Sequence, residues 1–239
     1  MAVQTVAIAP ALAAGDGAVT GMPTLSPEGS KVSAAALQPG ASREGAVVGI
    51  LLAAGRGNRF DPTGARYKLL QSLPNGEAVV VASARALLAA VPRVIAVVRA
   101  DDAATASLLR GLGCDVVACA NAADGMAASL VCGVQHAHDA NGWLIALADM
   151  PYVQPATMAA LAQAVRQAGG SKSATTIAVP MHEGQRGNPV AFGRAHLQAL
   201  LALTGDQGAR SILKNNPVNE LTVNDPGILQ DIDTPSDIQ

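Results

Sequence analysis

Sustained apolar patterning begins at Val47. Val47–Ala53 is a continuous apolar run, which is the pattern of a strand buried on both faces rather than one. A polar, glycine-rich loop follows (Gly55–Lys68), and then an Ala/Leu/Val segment, Ala78–Val91, at helical spacing. The alternation repeats. Arg93–Arg99 predicts a second strand, Asp102–Gly111 a helix, Asp115–Cys119 a third strand and Gly125–His138 a helix. Trp143–Ala148 predicts a strong strand, and Pro155–Ala168 a helix opened by its proline. Thr176–Pro180, Pro189–Phe192 and Asn219–Asn224 are shorter strand candidates, interleaved with helices near Arg194–Leu203 and Gly208–Lys214. Strands alternating with helical segments imply βαβ units and an α/β fold with a mostly parallel central sheet. Such sheets bind ligands at the carboxyl ends of their strands, so the loops after strands are where chemistry is expected.

Residues 1–45 have a different texture. They show no sustained period of 2 or 3.6, are rich in Ala, Gly, Pro and Ser, and contain no aromatic residue. This predicts a disordered extension ahead of one folded domain over residues 46–239. No Lys or Arg precedes the apolar Val3–Ala14 segment, which argues against a secretory signal.

Composition narrows the function. The chain is 50% hydrophobic but only 2% aromatic, so its core is built from Ala, Val, Leu and Ile. Cys114, Cys119 and Cys132 provide neither a disulfide framework nor a Cys-x-x-Cys metal pair, and they read as core residues. The apolar runs are too short to span a bilayer. A net charge of −2 argues against a nucleic-acid partner, which needs clustered positive charge. What remains is a soluble, cytoplasmic domain acting on a small molecule.

The loop after the first strand suggests the ligand's charge. Gly55-Arg-Gly-Asn-Arg-Phe60 fails the dinucleotide fingerprint because Phe60 stands where a glycine is needed. Lys68 lies between Tyr67 and Leu69, so no P-loop ending is present. The loop nevertheless gathers Arg56, Arg59, Arg66 and Lys68 against one acid, Asp61. This reads either as a solvated basic loop or as an anion clamp. Guanidinium groups clamp phosphate oxygens, and Gly55 and Gly57 let backbone N–H groups approach a polyanion.

Acids appear at two later places. Asp149 follows the strand Trp143–Ala148, where a carboxylate is costly unless it pairs with a cation or with donors. It reads either as a helix cap ahead of Pro155 or as a Mg²⁺ ligand. Asp231 and Asp233 point to the same side if that segment is extended, and Thr234-Pro235 is an ordinary helix start. Gly125–Leu130 turns a loop into a helix, either as an ordinary helix start or as one that offers N–H groups to a base, ribose or phosphate. Gly184–Pro189 and Gly205–Arg210 are either plain turns or, through Arg186 and Arg210, a second basic site for a phosphorylated acceptor. His136 and His138, two apart on a predicted helix, cannot share a face as a metal pair.

Leu52-Ala-Ala-Gly55 with Arg59, Phe60 and Lys68 resembles the signature loop of nucleotidyltransferases with a Rossmann-like GT-A fold, a three-layer sandwich. Leu147-Ala-Asp-Met-Pro151, Asp231-Ile-Asp-Thr-Pro235, Gly125-Met-Ala-Ala-Ser-Leu130, Arg186-Gly-Asn-Pro-Val190 and Gly205-Asp-Gln-Gly-Ala-Arg210 together resemble the molybdenum cofactor cytidylyltransferases of the MobA-like group. The resemblance implies Mg²⁺-dependent transfer of CMP from CTP to the terminal phosphate of the pterin cofactor, with release of pyrophosphate. It implies Arg59, Lys68 and Asp149 as catalytic residues. Leu52, Ala53, Ala54, Gly55, Arg56, Gly57, Arg59, Lys68, Gly125, Met126 and Ser129 would bind the nucleotide. Arg186, Gly187, Asn188, Asp206 and Arg210 would bind the acceptor. Asp149 and Asp233 would hold the metal, with Asp231 the lesser of the closing pair.

The guanylyl branch reads Leu-Ala-Gly-Gly, so Ala54 points to CTP rather than GTP. Asn188 stands where the cytidylyl branch carries His, and the spacer from Arg59 to Lys68 is long. The alternatives are a guanylyltransferase, a sugar- or alditol-phosphate nucleotidyltransferase of the same fold, or a non-catalytic carrier of the molybdenum cofactor. A molybdoenzyme or its insertion chaperone is the implied protein partner.

Overall fold

Residues buried on both faces form the centre of the sheet. In β1 (Val47–Ala53), Val47, Leu51 and Ala53 belong to one core cluster and Val48 and Ile50 to another. The same split recurs in β2 (Val94–Arg99), where Val94, Ala96 and Val98 oppose Ile95 and Val97. In β4 (Gly142–Leu147), Leu144 and Ala146 oppose Trp143 and Ile145. Side chains alternate across a strand, so apolar residues at every position mean apolar cover on both sides. The first side is covered by α1 (Val79–Ala90), α2 (Ala103–Gly111) and α4 (Pro155–Gln167). The second is covered by α3 (Met126–His136), α5 (Leu197–Leu201) and α6 (Arg210–Asn215). This is the three-layer arrangement expected. The computed structural model describes residues 46–57, 59–63, 66–167 and 175–238; the disordered extension expected over 1–45 lies outside them.

The remaining strands are β3 (Asp115–Cys119), β5 (Ile177–His182), β6 (Gln185–Arg186), β7 (Val190–Gly193) and β8 (Asn219–Thr222). Their order is β3-β2-β1-β4-β7-β5-β6, with β8 also on β5. β3, β2, β1 and β4 run parallel, and β8 is parallel to β5. β7 is antiparallel to β4 and β5, and β6 is antiparallel to β5.

The chain moves outward from β1 to β2 and β3, then returns to place β4 on the other side of β1. The carboxyl ends of β1 and β4 are therefore a topological switch point, where open α/β sheets hold their ligands. Helix starts follow local chemistry: Asp102 caps α2 by accepting from Thr105 N–H at 3.0 Å. The segment expected as one helix over Arg194–Leu203 divides into a 3₁₀ turn, Arg194–His196, and the short α5. Among the described residues, no helix is long and apolar enough to cross a membrane.

Candidate active site

The loop after β1 is anchored by its own residues. The N–H groups of Phe60 and Asp61 both donate to Gly57 O, at 2.9 and 3.2 Å, and Gly57 has φ +65°, a backbone region that disfavours a Cβ. Phe60 fills the first core cluster. This explains why an aromatic ring stands where a dinucleotide loop would have glycine: it is the loop's apolar anchor.

Asp61 then braces the turn. One carboxylate oxygen accepts from Thr63 N–H and Oγ at 2.9 and 2.7 Å, and the other accepts from Arg66 N–H at 2.7 Å. The Thr63 hydroxyl, followed by the backbone N–H donors, holds its carboxyl below the usual range. A depressed acid keeps these bonds above the ordinary carboxylate value and loses them only as pH falls through the lowered one, so at neutral pH the brace is complete. Asp61→Asn is expected to speed hydrogen exchange at the Thr63 and Arg66 amides about tenfold, the loss of one charge-assisted bond. The rest of the sheet should be unaffected. Unchanged exchange at both amides would refute the brace.

Tyr67 adds a second support. Its hydroxyl donates to Gly55 O at 3.4 Å, and the Arg99 guanidinium lies 5.2 Å from its ring centre. Burial, followed by the neighbouring Asp102 carboxylate, pushes its ionisation well above that of a free phenol. Nothing in the spacing of the sequence marked Tyr67 for this role. Arg66, counted among the basic groups of the loop, lies over Phe60 and beside Asp61.

Lys68 is the centre of the charge arrangement. Its side chain is 10% exposed and its Nζ lies 2.7 Å from Asp149 Oδ2 and 3.6 Å from Asp233 Oδ1. Arg59 pairs with the other oxygen of Asp233. A buried ammonium needs such partners, since desolvation without them costs several kcal/mol. The two acid motifs are joined by backbone as well, because Ile232 N–H donates to Asp149 O at 2.8 Å. The Asp237 carboxylate accepts from the N–H groups of Asp233 and Thr234, at 3.0 and 2.6 Å, and fixes the closing segment. Desolvation, followed by the charge of Asp233, raises the Asp231 carboxyl.

A cavity of about 290 Å³ opens beside this cluster at the ends of β1 and β4. Of the residues expected to bind nucleotide, Leu52, Ala54, Gly55, Arg56, Lys68, Gly125, Met126 and Ser129 line it, as does Asp149. Ala53 turns into the core instead, and Gly57 and Arg59 stand outside the lining. Leu69, Ala122, Ala123 and Leu147 also line the cavity. Ala122 and Ala123 follow β3, so the loop-after-strand rule reaches them, although alanine carries no chemical signal.

A second cavity of about 130 Å³ shares Leu52, Met126 and Leu147 with the first and brings Asn188 and Arg210 together. Asp206 lies instead against Gly125, where an added Cβ would meet its Oδ1. Gly187 packs against Ile228, and the exposed Arg186 pairs with Glu220. The acceptor residues expected from sequence therefore do not converge as one set.

Divalent-metal binding can be tested on the donor set. Asp149 and Asp233 present hard carboxylate oxygens to one shared cationic position, which suits Mg²⁺ or Mn²⁺. Among the described residues, no group of three or more His, Cys, Asp or Glu forms a ready-made metal cage. The pair fits a cation that completes its shell with substrate oxygens and water. The thiols fit no such role: burial pushes Cys114 and Cys132 up to about 11. His136 and His138 direct Nδ1 to the backbone carbonyls of Cys132 and Gln135.

The model for the MobA-like NTP transferase domain matches residues 49–221. Rv0371c from Mycobacterium tuberculosis is 28% identical, with TM-score 0.66, the match covering 81% of this chain and 96% of that one; Rv0371c has also been solved in complex with manganese. A nucleotidyl transferase from Methanothermobacter, Mth528, is 26% identical with TM-score 0.67, over 80% of this chain and 94% of that one. CMP:2-keto-3-deoxy-manno-octonic acid synthetase complexed with CTP shares the fold at 16% identity and TM-score 0.58, over 81% and 95% of the two chains. No curated relative matches the sequence. With a braced basic loop and paired carboxylates at the switch point, and a family match spanning most of the described domain, the chain belongs to the MobA-like NTP transferase domain family and is a nucleotidyltransferase.

Proposed function

We propose that this nucleotidyltransferase moves CMP from CTP to the terminal phosphate of the molybdenum (molybdopterin) cofactor, with Mg²⁺ as its metal. The observation that carries the reading is the Lys68–Asp149–Asp233 cluster, whose Lys68 and Asp149 line the cavity bounded by the Gly55 loop and the α3 start. In the transfer, an acceptor phosphate oxygen attacks the α-phosphorus of CTP. The α–β phosphoanhydride bond breaks, and pyrophosphate leaves with the electron pair. Phosphoryl chemistry of this kind needs positioning and charge neutralisation rather than a protein nucleophile.

Arg56, Arg59 and Lys68 would bind the triphosphate and the departing pyrophosphate. Arg59 and Lys68 are both engaged with carboxylates in the free protein, and phosphate oxygens would take over these cations and release the acids. Asp149 and Asp233 would then hold the metal, whose chemistry is to polarise phosphoryl oxygens. Gly125, at the start of α3, offers the nucleoside a helix N-terminus, beside the Ser129 hydroxyl. Among the described residues no aromatic side chain lines either cavity except Phe192 in the second, which favours reading the base by backbone groups. Asn188 and Arg210 in the second cavity would meet the acceptor, while Asp206, against Gly125, would sit on the nucleotide side, Gly187 against Ile228, and Arg186 at the periphery. Ala54, in the cavity wall, stands where the guanylyl branch carries glycine, and that resemblance supports CTP over GTP.

Pyrophosphate release measured with CTP, GTP, ATP and UTP, with and without the molybdenum cofactor, tests this reading. The expected result is release that needs both CTP and the cofactor. A preference for GTP would overturn the cytidylyl assignment. Turnover with a sugar or alditol phosphate in place of the cofactor, or binding of the cofactor without its turnover, would overturn the acceptor.

A further inference from the structure

Ser83 is a buried hydroxyl on the side of α1 that meets the sheet. It is 1% exposed, and its inward neighbours Val79, Val80, Ala84 and Leu87 are apolar. A hydroxyl there costs about 1–3 kcal/mol unless its proton finds an acceptor. A serine inside a helix commonly bonds the carbonyl four residues back, but here that contact, to Val79 O, is the longer one at 3.2 Å. The shorter, at 2.9 Å, crosses the helix–sheet interface to the carbonyl oxygen of Ala148.

That carbonyl belongs to the peptide plane immediately before the Cα of Asp149. The plane immediately after it is held by Ile232 N–H, which donates to Asp149 O at 2.8 Å. Upstream, Ala148 N–H donates to Leu52 O at 3.1 Å. The two planes flanking a Cα fix the direction of its Cβ, so these bonds aim the Asp149 carboxylate. Ile232 lies between Asp231 and Asp233, so the same set of bonds ties Asp149 to its partner acid. A metal-binding pair works only when its oxygens are held within about 0.5 Å of the required places.

We propose that Ser83 is a positioning residue: its hydroxyl sets the peptide ahead of Asp149, and through it the spacing of the Asp149 and Asp233 carboxylates. This rests on the reading of that pair as the cation site. The test uses the full chain with a non-hydrolysable CTP analogue, whose phosphates free the two acids, and follows manganese(II) bound beyond a nucleotide-only control by the loss of its free-ion electron paramagnetic resonance signal. Thermal unfolding is measured alongside for wild type, Ser83→Ala, Ser83→Cys and Asp149→Asn.

Ser83→Ala is expected to weaken manganese binding about tenfold, the low end for groups that orient ligands from behind. Ser83→Cys, with a weak donor of similar size, should fall between Ser83→Ala and wild type. Wild-type affinity in Ser83→Ala, with or without a change in unfolding, would overturn the proposal and leave the hydroxyl a packing element. A wild type whose manganese binding survives Asp149→Asn, or that binds none, would overturn the cation site itself and the inference with it.

Discussion

Asp149→Asn is expected to lower turnover about 10³-fold while shifting the unfolding midpoint by less than about 4 °C. The two effects separate because the carboxylate has two relations of different strength. In the free protein it pairs with Lys68 at 2.7 Å, and its loss leaves Lys68 a second carboxylate, Asp233, at 3.6 Å. The ammonium is therefore not stranded, and the structural cost stays near that of a partly exposed pair, about 1 kcal/mol. On the proposed reading, the same carboxylate neutralises the metal cation during the reaction. Removing one unit charge about 4 Å from another is worth about 4 kcal/mol at an effective dielectric of 20, which is about three decades of rate. Circular dichroism and a melting curve check the fold, and pyrophosphate release checks the rate. Wild-type turnover that still requires a divalent metal would remove Asp149 from the metal site.

The position of the site was legible where chemistry and topology coincide. A strand apolar at every position, followed by glycines and arginines, located the end of β1 because a strand covered on both faces has that pattern. Asp149 stood out because an acid at the end of such a strand needs a reason. Pairing direction was not legible: β7 is four residues long and buried throughout, and no alternation in so short a run marks it as antiparallel. The acceptor side was only partly legible. Arg186 and Arg210 look alike as lone arginines of glycine-rich loops, yet Arg186 is paired with Glu220 of β8, while Arg210 begins a helix that faces the second cavity. The contact of Asp233 with Lys68 and Arg59 joins distant parts of the chain, and the sequence offers only matching charges for it. Ser83 was invisible for the opposite reason, since a lone serine in an alanine-rich helix looks like filler.

Gly125→Ala is expected to destabilise the fold by about 3 kcal/mol, lowering the melting temperature by about 10 °C, and to raise the nucleotide KM beyond what the lost stability explains. Gly125 has φ +111° and ψ 177°, a region essentially restricted to glycine. A Cβ there would lie 2.3 Å from Asp206 Oδ1 and 2.7 Å from Gly205 O. The Asp206 side chain can swing away. The Gly205 carbonyl cannot move freely, because it accepts from Ala127 N–H at 3.1 Å in the first turn of α3. Alanine must then either push the 205–208 loop off the helix start or distort the turn that presents Gly125, Met126 and Ser129 to the cavity. Gly113→Ala separates the two sources of cost: its φ is also positive, +93°, but nothing lies within 4 Å of an added Cβ. Its loss should be the backbone contribution alone, about 1 kcal/mol, with KM unchanged. Equal destabilisation in the two variants would mean that contact with the 205–208 loop contributes nothing. A wild-type KM in Gly125→Ala would detach the α3 start from nucleotide binding.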